Sequence, residues 1–452
     1  MSQKLIVIGG NAAGLSAASK AKRLLPGLSV AVYEKSGFAS YGACGLPYFA
    51  GDMIRDSREL IALTPEKLQA ERDITVHLHH EAIRIDRAHK LVVVRRLEDG
   101  MEFGDSYDQL VIATGANPIR LPIPGADAAN VLTLRTVEDG LALVERLKSA
   151  RRAAVIGGGL IGLEVAEQLQ LRGIAATVFE SESRLLPMLP EAYSEIVLDE
   201  MQKHGVDIRL GSRVTELQAE KGLARRVSTQ DGGQYETDVV LMSVGVRPNG
   251  RLAAEAGLAV NERGAIVVSD AMQTADPDIW ACGDCVQMKN RLTGQPTYVP
   301  LGTTANKQGR VAGSNIGGRV VSFPGVLGSQ ATKLFDLYIG QAGLTYEQAL
   351  LAGFPAAQSM IQKQDKPPYY PGASLTRICL TLDTSTGRLL GAQALGGEGT
   401  AGRINALAVA ITAGMTVQAV SELDLVYAPP VAPVYDPILV AASQAAKLVE
   451  KE

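Results

Sequence analysis

Residues Ser40 to Tyr48 read Ser-Tyr-Gly-Ala-Cys-Gly-Leu-Pro-Tyr, which places Cys44 among Gly42, Gly45 and Pro47. The run from Tyr48 onward suits a helix. A sulfur just before a helix start meets the positive end of the peptide dipoles, which favours thiolate, the form that attacks disulfides. A lone cysteine is as readily a small buried hydrophobe, so the segment alone leaves both readings open. The other three cysteines read as structural. Cys282 and Cys285 have C-x-x-C spacing but sit on a Gly283-Asp284 turn, and Cys379 falls in a strand-like run from Arg377 to Leu382. His77, His79 and His80 lie on an expected strand from Ile74 to His80, with 77 and 79 on one face. Two histidines without a third ligand nearby read as a solvated strand face, and no metal site is expected.

The elements that must position Cys44 come in a repeated pattern. Leu5 to Ile8 is a short apolar strand, followed by Gly9-Gly10-Asn11-Ala12-Ala13-Gly14, a helix from Leu15 to Leu25 and a second strand, Ser29 to Glu34. In such a βαβ unit, glycines make the tight turn, backbone N–H groups at the helix start face a pyrophosphate, and the terminal acid accepts from a ribose hydroxyl. Asn11 stands where the middle glycine of G-x-G-x-x-G belongs. The pattern recurs in full at Gly157, Gly159 and Gly162, after the strand Ala153 to Ile156, and ends on Glu180. A carboxylate there suits the 2′-hydroxyl of NADH and repels the 2′-phosphate of NADPH, while Arg184 softens that preference. Two dinucleotide turns in one chain imply a flavin and a nicotinamide that exchange hydride. The segment Leu110 to Ala116, with Thr114 and Gly115, closes the first unit, and Asp284 after Cys282-Gly283 suits a flavin ribityl chain. A helix expected over Gly302 to Ile316 offers its N-terminus to negative charge.

The 452 residues carry a net charge of -4 with 20% charged side chains, which excludes a broad nucleic-acid or anionic-membrane surface. Met1 to Lys4 lead directly into a strand, so secretion is not expected. The apolar run Leu407 to Val420 is broken by Thr412, Gly414, Thr416 and Gln418 and reads as a buried helix, not a membrane span. A cytoplasmic enzyme is the expectation.

Taken together, these separated motifs resemble the flavin-dependent pyridine nucleotide-disulfide oxidoreductases across nearly the whole chain. Within them, the Cys44 segment resembles the single-cysteine branch of coenzyme A disulfide reductases, persulfide reductases, NADH oxidases and NADH peroxidases. The resemblance implies an α/β fold of two doubly wound nucleotide-binding domains and a C-terminal α+β dimerisation domain. FAD is expected in residues 1–118 and 248–328, NAD(P)H in 119–247, and the homodimer interface in 329–452. It implies FAD held by Gly9, Gly14, Glu34, Lys35, Thr114, Gly115 and Asp284. NADH or NADPH would be held by Gly157, Gly159, Gly162, Glu164, Glu180 and Gly245. It makes Cys44 the redox-active residue, cycling through a mixed disulfide with coenzyme A or a sulfenic acid.

Tyr369, in Tyr369-Tyr-Pro-Gly372, and Tyr427, in Tyr427-Ala-Pro-Pro430, match the branch's two active-site tyrosines, while Lys22, Arg23 and Ser40 match its coenzyme A contacts. Ala12 stands where peroxidases and water-forming oxidases carry a histidine, and Ala43 where coenzyme A enzymes often carry asparagine. None of the five histidines lies beyond His204, so the C-terminal domain must protonate a leaving thiolate with another group, and tyrosines can serve. The resulting expectation is an NAD(P)H-dependent reductase of a small disulfide or persulfide, possessing neither a nucleic-acid nor a membrane partner. The alternatives are an NADH oxidase working through a Cys44 sulfenic acid and a flavoprotein passing electrons to a protein carrier.

Overall fold

The computed structural model describes residues 3–449; Met1, Ser2 and residues 450–452, the outer ends of the first and last expected domains, lie outside the described residues. The strand Lys4–Ile8 is apolar on both faces because it is central to a parallel sheet covered on both sides. Leu5 and Val7 feed one core, and Ile6 and Ile8 feed another on the opposite face. That sheet runs Ile279–Ala281, Gln109–Ile112, Lys4–Ile8, Ser29–Tyr33, Thr75–His77, every neighbour parallel.

A second sheet repeats the plan. It runs Asp207–Arg209, Ala175–Phe179, Arg152–Ile156, Val239–Met242, Val131–Leu132, again all parallel. Each unit also carries a three-stranded antiparallel meander, His80–Asp86 to Glu102–Ser106 in the first and Val214–Glu220 to Gln234–Glu236 in the second. The third unit is a five-stranded antiparallel sheet whose strand Leu389–Gly396 is wholly buried, with helices Thr400–Thr412 and Pro437–Ala445 packed on it.

In the first unit, the helix Ala12–Leu24 lies unusually close to the helix Gly302–Ile316. A Cβ on Gly309 or Gly313 would stand 2.2 or 2.3 Å from the carbonyl oxygens of Ala13 or Ala17, so only glycine admits this approach.

Three expectations need correction. The run Leu407 to Val420 is not one helix: Gly414, at φ 70°, turns the chain between Thr400–Thr412 and a short helix Val417–Ser421. The strand at Thr75 ends at His77, because His79 adopts φ 55° and reverses the chain. His77 therefore faces His80 rather than His79, their ring centres 5.5 Å apart, with Tyr33 stacked on His77 at 5.1 Å. The helix after Cys44 is a single turn, Leu46–Ala50, preceded by a 3-10 turn Ala43–Gly45 that contains the cysteine itself.

Candidate active site

The glycine turns are shaped by backbone proximity. Gly9 and Gly157 adopt φ 110° and 107°, and a Cβ there would meet the carbonyl oxygens of Ala113 and Ser243 at 2.2 and 2.4 Å. A Cβ on Gly14 or Gly162 would lie 2.0 or 2.1 Å from the carbonyl oxygen of Gly9 or Gly157. Gly159, at the middle position, is different: nothing lies within 4 Å of a Cβ built there. The fold demands the first and last glycine, whereas the middle position faces open space, and Asn11 fits it.

The two terminal acids are held alike. Glu34 accepts from Gly10 N at 2.7 Å and Ser36 N at 2.9 Å; Glu180 accepts from Gly158 N and Glu182 N, both at 2.8 Å. Each carboxylate is thus anchored beside its turn and keeps lone pairs for a ribose hydroxyl. Lys35, next to Glu34, is exposed. The Thr114 hydroxyl donates to Asn249 O at 2.6 Å, so its side chain is committed to the fold.

A cavity of about 1560 Å³ joins the two turns and is lined by Asn11, Cys44, Gly115, Gly157, Gly159, Glu164, Glu180, Gly245 and Asp284. Residues of the C-terminal sheet, Thr332 and Gln341 among them, close its far wall. Cys44 stands in its wall and is exposed, while Cys282, Cys285 and Cys379 are fully buried. Although the sulfur is open to the cavity, burial of its surroundings pushes the thiol up, Glu164 and Asp284 push it further, and Arg135 pulls it back. That reverses the expected helix-start effect, because one turn of helix gathers little dipole. Glu164 accepts from the Thr332 hydroxyl at 2.6 Å, and burial holds its carboxyl above the usual range. Burial also pushes the Tyr41 and Tyr48 phenols, both in the cavity wall, up to about 12.

Arg135 is a residue the motif reading missed. Its guanidinium donates to Asp284 Oδ2 at 2.6 Å, and it precedes a capping box in which Thr136 and Asp139 bond reciprocally. That box is a readable helix start, and the cation just before it was the available signal. Asp284 Oδ1 is buried with no partner and belongs to a cavity-lining residue, an acceptor suited to a hydroxyl-bearing chain.

Of the predicted cofactor residues, Gly9, Gly14, Glu34, Lys35, Thr114 and Gly162 are not in the cavity wall, and neither are five further predicted residues. Lys22 donates to Leu28 O at 2.7 Å and pairs with Asp73 at 2.6 Å, which leaves Arg23, exposed and without an ion pair among the described residues, as the available cation. Ser40 adopts φ 54° and ties the first turn to the following segment through Gly10 O and Ala62 N. Tyr369 and Tyr427 are 73% and 50% exposed, and the neighbouring Tyr427 hydroxyl holds the Tyr369 phenol above its usual value. Neither reaches the cavity of its own chain.

Residues 3–309 match the family model described as pyridine nucleotide-disulphide oxidoreductase, and residues 329–437 match that family's dimerisation domain. The chain belongs to this family. It is an FAD-dependent oxidoreductase that uses NAD(P)H. It is 37% identical to an NAD(P)H sulfur oxidoreductase (CoA-dependent) of Pyrococcus furiosus over 97% of this chain and 98% of that protein. An NAD-dependent persulfide reductase from A. fulgidus superposes with a TM-score of 0.95 at 37% identity, covering 98% of this chain and 83% of that one. A water-forming NADH oxidase from Lactobacillus brevis, bound to NADH, gives 0.94 at 29% identity, with 99% of both chains covered.

The residues present fit both dinucleotides: two glycine turns that a Cβ would block, two terminal acids anchored beside them with lone pairs free, and an unpaired buried Asp284 oxygen on a cavity-lining residue. The architecture is α/β, two doubly wound nucleotide-binding domains plus a C-terminal α+β dimerisation domain. Among the described residues, no helix is long and apolar enough to cross a membrane.

Proposed function

We propose that this protein is a homodimeric NAD(P)H reductase of a small disulfide or persulfide, coenzyme A disulfide or persulfide foremost, with Cys44 as its redox sulfur. The observation that carries the reading is the position of Cys44. It is the exposed member of four free cysteines, in the wall of the cavity that both glycine turns share. The sulfur substrates in the names of the Pyrococcus and A. fulgidus relatives support the same class. The domain division follows, at 118/119, 247/248 and 328/329.

In this account, Cys44 thiolate attacks one sulfur of the substrate and forms a mixed disulfide. The other sulfur leaves as a thiolate and takes a proton from Tyr427, assisted by Tyr369, both from the partner subunit. Bound FAD supplies the two-electron chemistry that links NAD(P)H to that mixed disulfide and frees Cys44. Glu34 and Glu180 would hold ribose hydroxyls, Asp284, paired with Arg135, would take a flavin ribityl hydroxyl, and Glu164 would lie near the nicotinamide. Arg23, with Lys22 held by Asp73 beside it, meets the coenzyme A phosphates, and Ser40 makes a further coenzyme A contact.

Cys44→Ser tests the reading. FAD content should match the wild type, while NADH-dependent disulfide turnover falls by at least about 100-fold. Unchanged disulfide turnover in that variant would refute the assignment. The NADH-oxidase alternative predicts instead that NADH consumed under air tracks O₂ reduced, with no dependence on added disulfide.

A further inference from the structure

The tyrosine pair sits at the tips of two loops whose bases meet at one buried cation. Arg403, on the helix Thr400–Thr412, is 7% exposed, and its Nη2 and Nε donate to both carboxylate oxygens of Asp436, the shortest bond being 2.8 Å. The same Nη2 donates to the carbonyl oxygen of Asp365 at 3.2 Å. Asp436 ends the loop that carries Tyr427, and its Oδ1 caps the next helix by accepting from Ile438 N at 2.9 Å. Asp365 opens the loop that carries Tyr369. That loop is closed at its base by Ser374, which donates its N to Asp365 Oδ1 at 2.7 Å and its hydroxyl to Oδ2 at 2.9 Å.

The neighbouring glycines are explained by this polar knot. A Cβ on Gly397 would stand 2.4 Å from the Ser374 hydroxyl, and one on Gly399 would stand 2.6 Å from Arg403 Nη1. Burying a guanidinium and a carboxylate is costly unless each is paired and hydrogen-bonded, and here both are. The two loops are therefore joined at their bases through Arg403, and they carry Tyr369 and Tyr427 as neighbours.

We propose that Arg403 is a positioning residue: by bonding to both loop bases, it sets the spacing of Tyr369 and Tyr427 and so the point at which they deliver a proton. This inference rests on the tyrosine reading above. Arg403 lies outside the cavity wall and acts through the tyrosines.

Arg403→Lys keeps the charge but cannot make the two-oxygen bond. It should lower kcat for disulfide reduction about tenfold, as a small misplacement of a proton donor does. Anaerobic reduction by NADH and the dimer mass should be unchanged. In a Tyr427→Phe background, the same substitution should have no further effect on kcat. A merely structural role lowers kcat by the same factor in both backgrounds, and that additivity would overturn the proposal, as would a wild-type kcat in Arg403→Lys. Should Arg403→Lys fail to fold, Ser374→Ala removes only the hydroxyl bond to Asp365. Paired with Tyr369→Phe, it carries the same expectation of non-additivity, and additivity there counts against the proposal equally. Full kcat in both Tyr427→Phe and Tyr369→Phe would sink the tyrosine reading itself, and this proposal with it. Slow tyrosine variants beside a normal Arg403→Lys would sink the positioning role alone.

Discussion

Cys44 must lose a proton before it can attack a disulfide, and its surroundings make that harder: burial first, then the carboxylates of Glu164 and Asp284. The thiol therefore ionises above its usual range, and kcat/KM for the disulfide should climb with pH through and beyond that range. Arg135 is the opposing influence, so Arg135→Gln should move the rising limb to still higher pH while loosening FAD through the freed Asp284. A pH profile of disulfide reduction checks this; a rate flat from about pH 6 to about pH 9 would contradict it. The residue scale is where the chain was hardest to read. The Cys44 segment alone left a reactive thiol and a small buried hydrophobe both open, and the exposure of its sulfur in the cavity wall is a product of the fold. The direction of its titration was not legible either, because it depends on a helix only five residues long and on a guanidinium ninety-one positions away in sequence, at Arg135. Likewise Lys22 reads as a free cation, yet folding commits it to Asp73, a partner no local pattern announces.

At the scale of elements, glycine separates two kinds of demand. Gly309 lets one helix lie against another, so Gly309→Ala must displace the Ala13 carbonyl oxygen, 2.2 Å from the added carbon. Overpacking of this kind costs about 1–3 kcal/mol and should lower Tm and the retention of FAD together. Gly159 meets nothing within 4 Å, so Gly159→Ala should leave Tm unchanged and raise KM for NADH, because the added methyl enters the open side of the turn. Thermal melts and NADH titrations of the two variants check the pair; a lowered Tm in Gly159→Ala would contradict the argument. Both strand–turn–helix units were legible because each step has a local cause: apolar run, tight turn, terminal acid. The breaks at His79 and Gly414 were not, since each depends on a left-handed backbone that apolar periodicity does not encode.

At the scale of the whole molecule, the cavity of one chain holds the sulfur but not the tyrosines, which face outward from the C-terminal unit. If each active site draws Cys44 from one subunit and Tyr427 from the other, two crippled variants should rescue each other. Mixed and re-equilibrated Cys44→Ser and Tyr427→Phe dimers form hybrids with one intact site, so activity should recover to about a quarter of the wild type. Activity no greater than the sum of the separate variants would place both groups within one chain. The duplicated units and the presence of a third could be read along the chain, but the outward placement of Tyr369 and Tyr427 is a property of packing.

The most direct test is the intact mass of the purified protein after exposure to coenzyme A disulfide. The account predicts one coenzyme A adduct per chain, mapped to Cys44 and released by NADH. A protein that stays unmodified at Cys44, or that carries the adduct on another cysteine, would contradict it.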